Sequence, residues 1–128
     1  MKLLSRQILF SETCGMALAA LAVCACGRSG DMEPVVVGGD AGRGRAALIA
    51  YECGACHRIP GIPGARGNVG PPLDDFVERV NIAGRYANDP ARLVDWIRHA
   101  PALKPQTAMP DLGVSEIEAR DIAAYLYE

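Results

Sequence analysis

Two thiols and an imidazole are locked at a spacing of three and four residues in Cys53-Gly54-Ala55-Cys56-His57. On a helical turn such positions share one face, so the three side chains point the same way. Gly54 and Ala55 are small enough to let a flat group approach the backbone. With 5 Cys and 2 His in 128 residues, the pattern has little chance of arising at random. It reads C-x-x-C-H, the attachment pattern of c-type haem. The two sulfurs can form thioethers with the vinyl groups along one porphyrin edge, while the imidazole reaches the iron from beneath.

Three other chemistries use similar residues. A structural zinc site wants four N or S ligands, and beyond this motif the folded part offers only His99 and no second cysteine pair. A thioredoxin-like dithiol wants a neighbouring βαβ pattern, which is absent. A disulfide between residues three apart is geometrically poor. One covalent haem c, held by Cys53 and Cys56, is the cofactor expected.

The front of the chain reads as an export signal. Lys2 and Arg6 precede an unbroken run of small or apolar residues from Cys14 to Cys26, a charged region followed by a hydrophobic one. The run is too short to cross a bilayer, which takes ~20 residues. Val23-Cys24-Ala25-Cys26-Gly27 is similar to the lipobox of bacterial lipoproteins, whose cysteine becomes diacylated; Val23 and Ala25 suit an ordinary signal peptidase equally. The favoured division is a leader over 1–25, a lipidated Cys26 opening a flexible tether over 26–39, and a folded domain over 40–128. Two acyl chains on one residue give the double signal that stable anchoring needs. The expected location is the periplasmic side of a bacterial membrane, lipid-anchored, with a soluble periplasmic protein as the alternative. Haem is joined to such motifs outside the cytoplasmic membrane, so export and motif support each other.

Loss of Lys2, Arg6 and Glu12 with the leader takes the net charge from −2 to −3. That balance argues against a nucleic-acid partner.

From Asp40 onward the chain breaks into helical pieces. Gly44, Ala47, Leu48 and Tyr51 recur at helical spacing with Asp40 as N-cap, predicting a helix that runs into the haem motif. Leu73, Phe76, Val77 and Val80 repeat the pattern over a short helix. Asp89-Pro90 is a cap with proline at the first helical position, and Leu93, Trp96, Ile97 and Ala100 form the stripe that Pro101 ends. Ser115 and Glu118 form a capping box for a last helix with stripe Ala119, Ile122, Ala123 and Leu126. No strand signal interrupts the series, so the fold class expected is all-α; Val35 to Val37 are too few to decide anything.

Two Pro/Gly loops separate the helices, Ile59 to Pro72 and Pro101 to Gly113. Met32 and Met109 are the methionines beyond the leader, and Met109, in the second loop, is the sixth iron ligand expected. His99, at a helix end, reads as solvent-facing and favoured by the helix dipole.

Taken together, residues 40–128 resemble a class I, mono-haem cytochrome c: a helix into Cys53-x-x-Cys56-His57, then Gly70-Pro71-Pro72-Leu73, then Met109-Pro110, then a helix ending Ala124-Tyr125-Leu126. The resemblance implies an all-α fold with first and last helices crossing near the haem. It implies that the Pro71 carbonyl accepts a hydrogen bond from the His57 nitrogen not on iron, and places Leu73 among the haem-binding residues. Tyr86, Trp96, Arg79 and Arg85 are candidates for the propionates by residue type and by this likeness. Ile59 to Ala65 with Val69 to Pro72 looks more narrowly like membrane-tethered cytochromes c that accompany haem-copper oxidases, although the lysine-rich docking face of soluble forms is missing. Burying a macrocycle would explain how 7 aromatic residues, one of them Phe10 in the leader, support the fold.

Iron held by His57 and Met109 has no open position, so the function expected is outer-sphere one-electron transfer rather than catalysis. The carrier would be a monomer linking a quinol-oxidising complex or another donor to a terminal oxidase. The alternatives are a cytochrome subunit of a periplasmic dehydrogenase, or a haem enzyme or gas sensor in which Met109 is displaced.

Overall fold

The computed structural model describes residues 35–128. The leader, Cys26 and the tether as far as residue 34 lie outside them. Three helices carry the fold: α1 (Ala41–Ala50), α2 (Pro90–Leu103) and α3 (Glu116–Leu126). A two-stranded antiparallel ribbon, β1 (Asn81–Ile82) and β2 (Tyr86–Ala87), sits between α1 and α2, with Asn81 opposite Ala87 and Ile82 opposite Tyr86. Among the described residues, Val36 is the first that is buried.

Each helix starts where its capping chemistry dictates. Asp40 accepts from Arg43 N, Asp89 from Arg92 N with Pro90 behind it, and Ser115 and Glu118 close a reciprocal capping box. The helical stripes point inward: Gly44, Ala47 and Leu48 from α1, Leu93, Trp96, Ile97 and Ala100 from α2, and Ala119, Ile122 and Ala123 from α3 are buried.

Four local expectations are corrected. The first helix does not run into the motif; it ends at Ala50, Glu52 turns left-handed at φ 54°, and Cys53–Ala55 form a separate 3-10 turn. The helix expected over Leu73 to Val80 shrinks to the 3-10 turn Phe76–Glu78. Asp75 breaks it at φ 48°, and the Asn88 amide takes the carbonyls of Phe76 and Arg79, at 2.9 Å each, that a longer helix would use internally. Pro101 does not stop α2: the backbone leaves helical geometry two residues earlier, at His99 (φ −134°, ψ 33°), and Pro101 lies in the first turn of the short piece that follows. The ribbon was missed because two-residue strands show no alternation; its hairpin turns at Ala83 (φ 53°) and Gly84 (φ 69°), both left-handed.

α1 and α3 cross with their backbones in near contact. A β-carbon on Gly44 would lie 2.5 Å from the carbonyl carbon of Asp121 and closer still to its oxygen. Beside the crossing, the buried Asp121 carboxylate accepts from Arg43 Nε and Nη2 and from Asp40 N, each at 2.8 Å. The Arg43 guanidinium holds the Asp121 carboxyl below its ordinary range. A carboxyl whose folded value is depressed adds stability that is present above its unfolded value and lost as pH falls through the folded one, so this crossing loosens in acid. A second tie runs from Tyr51 Oη, at the end of α1, to Glu118 Oε2 in the first turn of α3, at 2.9 Å.

Candidate functional site

The motif and the Pro/Gly loop behind it are knitted together by main-chain hydrogen bonds. Gly67 N donates to Gly54 O (3.1 Å), Gly70 N to Cys56 O (2.9 Å) and Leu73 N to Arg58 O (2.7 Å). Ile59 N donates to Ala65 O, and Arg58 pairs with Asp74 through Nε and Oδ2 at 2.8 Å. The glycines permit this contact: a β-carbon on Gly54 would press on Ala65, and one on Gly67 on the Cys56 backbone.

Cys53 and Cys56 are half-buried and are not joined to each other by a disulfide. Burial pushes the Cys53 thiol up, opposite to the depressed values of reactive C-x-x-C dithiols. Among the described residues, no three His, Cys, Asp or Glu side chains converge as a metal-ion site, so the pair has no zinc-type company. His57 is held from two sides. Its Nδ1 lies 2.7 Å from the Pro71 carbonyl oxygen; since a carbonyl can only accept, Nδ1 carries the proton and Nε2 keeps its lone pair. A β-carbon on Gly70 would fall within 2.7 Å of Nδ1 and 2.8 Å of Nε2, so the ring is seated in a cradle that only glycine leaves open. An imidazole with Nδ1 tied and Nε2 available, two half-buried thiols and small residues around them fit a covalently held haem. Half-buried Met109 packs against the apolar core, and its backbone N–H donates to Thr107 Oγ1 at 3.2 Å.

The other expected site residues fall into two groups. Tyr86 and Trp96 stand together, ring centroids 6.3 Å apart, with the Arg85 and Arg92 guanidiniums over the Tyr86 ring at 5.7 and 5.3 Å. The Tyr86 hydroxyl donates to Leu103 O at 2.8 Å. Arg79 is placed with the His57 loop instead: its Nη2 donates to the carbonyls of Pro72 and Asp74, and its guanidinium lies 5.3 Å from the centre of the Phe76 ring. Leu73 is half-buried against the core and lines a cleft of about 360 Å³ with Phe76, Tyr125 and Leu126, which neither His57 nor Met109 borders. His99 is exposed, 3.8 Å from Asp111.

Asn88 and Tyr127 were not singled out by sequence reading. Asn88 reads as a helix-start residue beside Asp89-Pro90, and its side-chain work, on carbonyls 9 and 12 residues upstream, leaves no periodic trace.

Neither a curated protein nor a solved structure matches the chain significantly. A family model does: that of cytochrome c covers residues 41–128, from the first residue of α1 to the end of the chain. With 88 residues of a 128-residue chain matched, the protein belongs to the cytochrome c family of electron-transfer haem proteins, whose haem c is attached through cysteines, here Cys53 and Cys56.

Proposed function

We propose that the protein is a one-electron carrier on the periplasmic side of a bacterial membrane, taking electrons from a quinol-oxidising complex or another donor and passing them to a terminal oxidase. The observation that carries this reading is the His57 ring, tied through Nδ1 to Pro71 O at 2.7 Å with Nε2 left as the only ring nitrogen able to bind metal. Haem c, when bound, supplies a one-electron iron couple. His57 Nε2 and the Met109 thioether would hold its iron, leaving no place for oxygen or substrate. A thioether ligand favours the reduced metal and raises the potential relative to a second imidazole, which suits the terminal end of a respiratory chain. Arg85 and Trp96, each next to the Tyr86 ring, are the residues proposed for the propionates. Partner contacts of such carriers are small and brief.

Stopped-flow mixing of the reduced protein with oxidase-containing membranes tests the role. Fast, cyanide-sensitive oxidation is expected, and oxidation no faster than autoxidation would refute it. Replacing Met109 with Ala should abolish the weak sulfur-to-iron charge-transfer band of the oxidised protein. Persistence of that band would remove Met109 from the ligand set.

Attachment to the membrane is proposed through a lipidated Cys26, supported by the sequence Val23-Cys24-Ala25-Cys26-Gly27. Cys26→Ser should move the protein from the membrane to the soluble periplasmic fraction; continued membrane retention would contradict a lipid anchor.

A further inference from the structure

A second tier of residues stands behind His57. Tyr127 is buried, packs edge-on against Phe76 with centroids 5.7 Å apart, and its hydroxyl lies 2.8 Å from Asn88 Oδ1. Burial pushes that hydroxyl up to about 12, so it stays protonated and donates. Its donation fixes the orientation of the Asn88 amide: Oδ1 accepts, and Nδ2 faces the carbonyls of Phe76 and Arg79, 2.9 Å from each. The Asn88 backbone N–H adds a bond to Val80 O at 3.1 Å. The segment that carries Arg79 is therefore gripped at three carbonyls by one residue. From that segment the Arg79 guanidinium reaches back to the carbonyls of Pro72 and Asp74. Pro72 is bonded to Pro71, whose carbonyl accepts the hydrogen bond from His57 Nδ1.

Resting on the reading of His57 as the axial ligand, we propose that Asn88 and Arg79 are positioning residues: Asn88, braced by Tyr127, fixes the Arg79 segment, and Arg79 clamps the Pro71-to-Asp74 loop so that the Pro71 carbonyl keeps its bond to His57. Both bonds leave one nitrogen, Nη2, whose two N–H groups are held in the guanidinium plane, whereas an ammonium is a point donor on a flexible stem. A tight hydrogen bond on the outer nitrogen makes the imidazole a stronger base and favours the oxidised metal. Loosening the clamp should raise the midpoint potential.

The test uses the haem-loaded protein and two readouts, the solvent-exchange rate of His57 Nδ1–H by NMR and the midpoint potential. Asn88→Ala changes no charge and does not touch His57, yet it should speed the exchange by about tenfold and raise the potential. Arg79→Lys, which keeps the charge but not the planar pair of N–H groups, should do the same. An Asn88→Ala exchange rate equal to the parent's overturns the proposal, as does an effect in Arg79→Gln that Arg79→Lys fully restores, because that pattern means Arg79 acts as a charge alone. If Asn88→Ala does not fold, Tyr127→Phe keeps the ring against Phe76 and removes one hydrogen bond; it should shift both readouts in the same directions by less, and no shift counts against the clamp. Absence of hyperfine-shifted His57 ring signals in the oxidised parent strikes the ligand assignment itself, separately from anything the variants do.

Discussion

Gly44→Ala should destabilise the domain by about 3 kcal/mol, against the gain of about 1 kcal/mol that alanine offers over glycine within a helix. The added methyl would sit 2.5 Å from the Asp121 carbonyl carbon and 3.0 Å from Ile122 N. These are backbone atoms of α3, which no change of rotamer can move aside. The two helices would have to separate, and separation would stretch the Arg43–Asp121 and Tyr51–Glu118 bonds that flank the crossing. Gly42→Ala is the matched control two residues away. Its methyl would meet only the exposed Asp40 side chain, 3.3 Å from Oδ1, so its stability should stay within about 0.5 kcal/mol of the parent or exceed it. Denaturant unfolding of both variants decides the matter. Equal stability of the two would mean that the α1 and α3 backbones are not held together at this point.

What the sequence made legible was whatever is written locally. Asp40, Asp89-Pro90 and Ser115-x-x-Glu118 announce helix starts because a cap needs a particular side chain at one position. The apolar stripes follow because a helix repeats every few residues. Cys53, Cys56 and His57 were legible for the same reason, as their chemistry fixes their spacing. Helix ends were less so. Glu52 and Asp75 adopt left-handed backbone without being glycine, and nothing in residue type signals that. The kink at His99 falls two residues before Pro101, a displacement that residue type alone does not place.

The deeper layer of the site was hidden because it joins distant segments. Arg79 was readable as a cation of the right type for a propionate, but its reach to Pro72 and Asp74 depends on how the loop after Gly70 is folded. Asn88 and Tyr127 lie 39 residues apart and meet only once α3 has closed the structure. Gly70 was part of a recognisable Gly-Pro-Pro-Leu string, yet why it must be glycine becomes apparent only when the His57 ring lies against it.

That contact carries the second large effect. Gly70→Ala should leave a chain that folds but holds its haem poorly, with low-spin, fully liganded protein reduced by roughly tenfold or more, the scale usual when the support of a metal-bound histidine is lost. The methyl would come within 2.7 Å of Nδ1 and 2.8 Å of Nε2, and closer to Cε1. It presses on the ring itself, so His57 must turn away. Turning breaks the bond to Pro71 O and swings Nε2 off its axis. The loop cannot yield instead, because Gly70 N is bonded to Cys56 O and Leu73 N to Arg58 O on either side. Val69→Ala is the control: Val69 is 65% exposed, so its truncation should leave the spectrum and the haem content unchanged. Covalent haem per protein and the low-spin fraction, measured side by side in the two variants, give the answer. Parent-like values in Gly70→Ala would mean that His57 is not the ligand seated in this cradle.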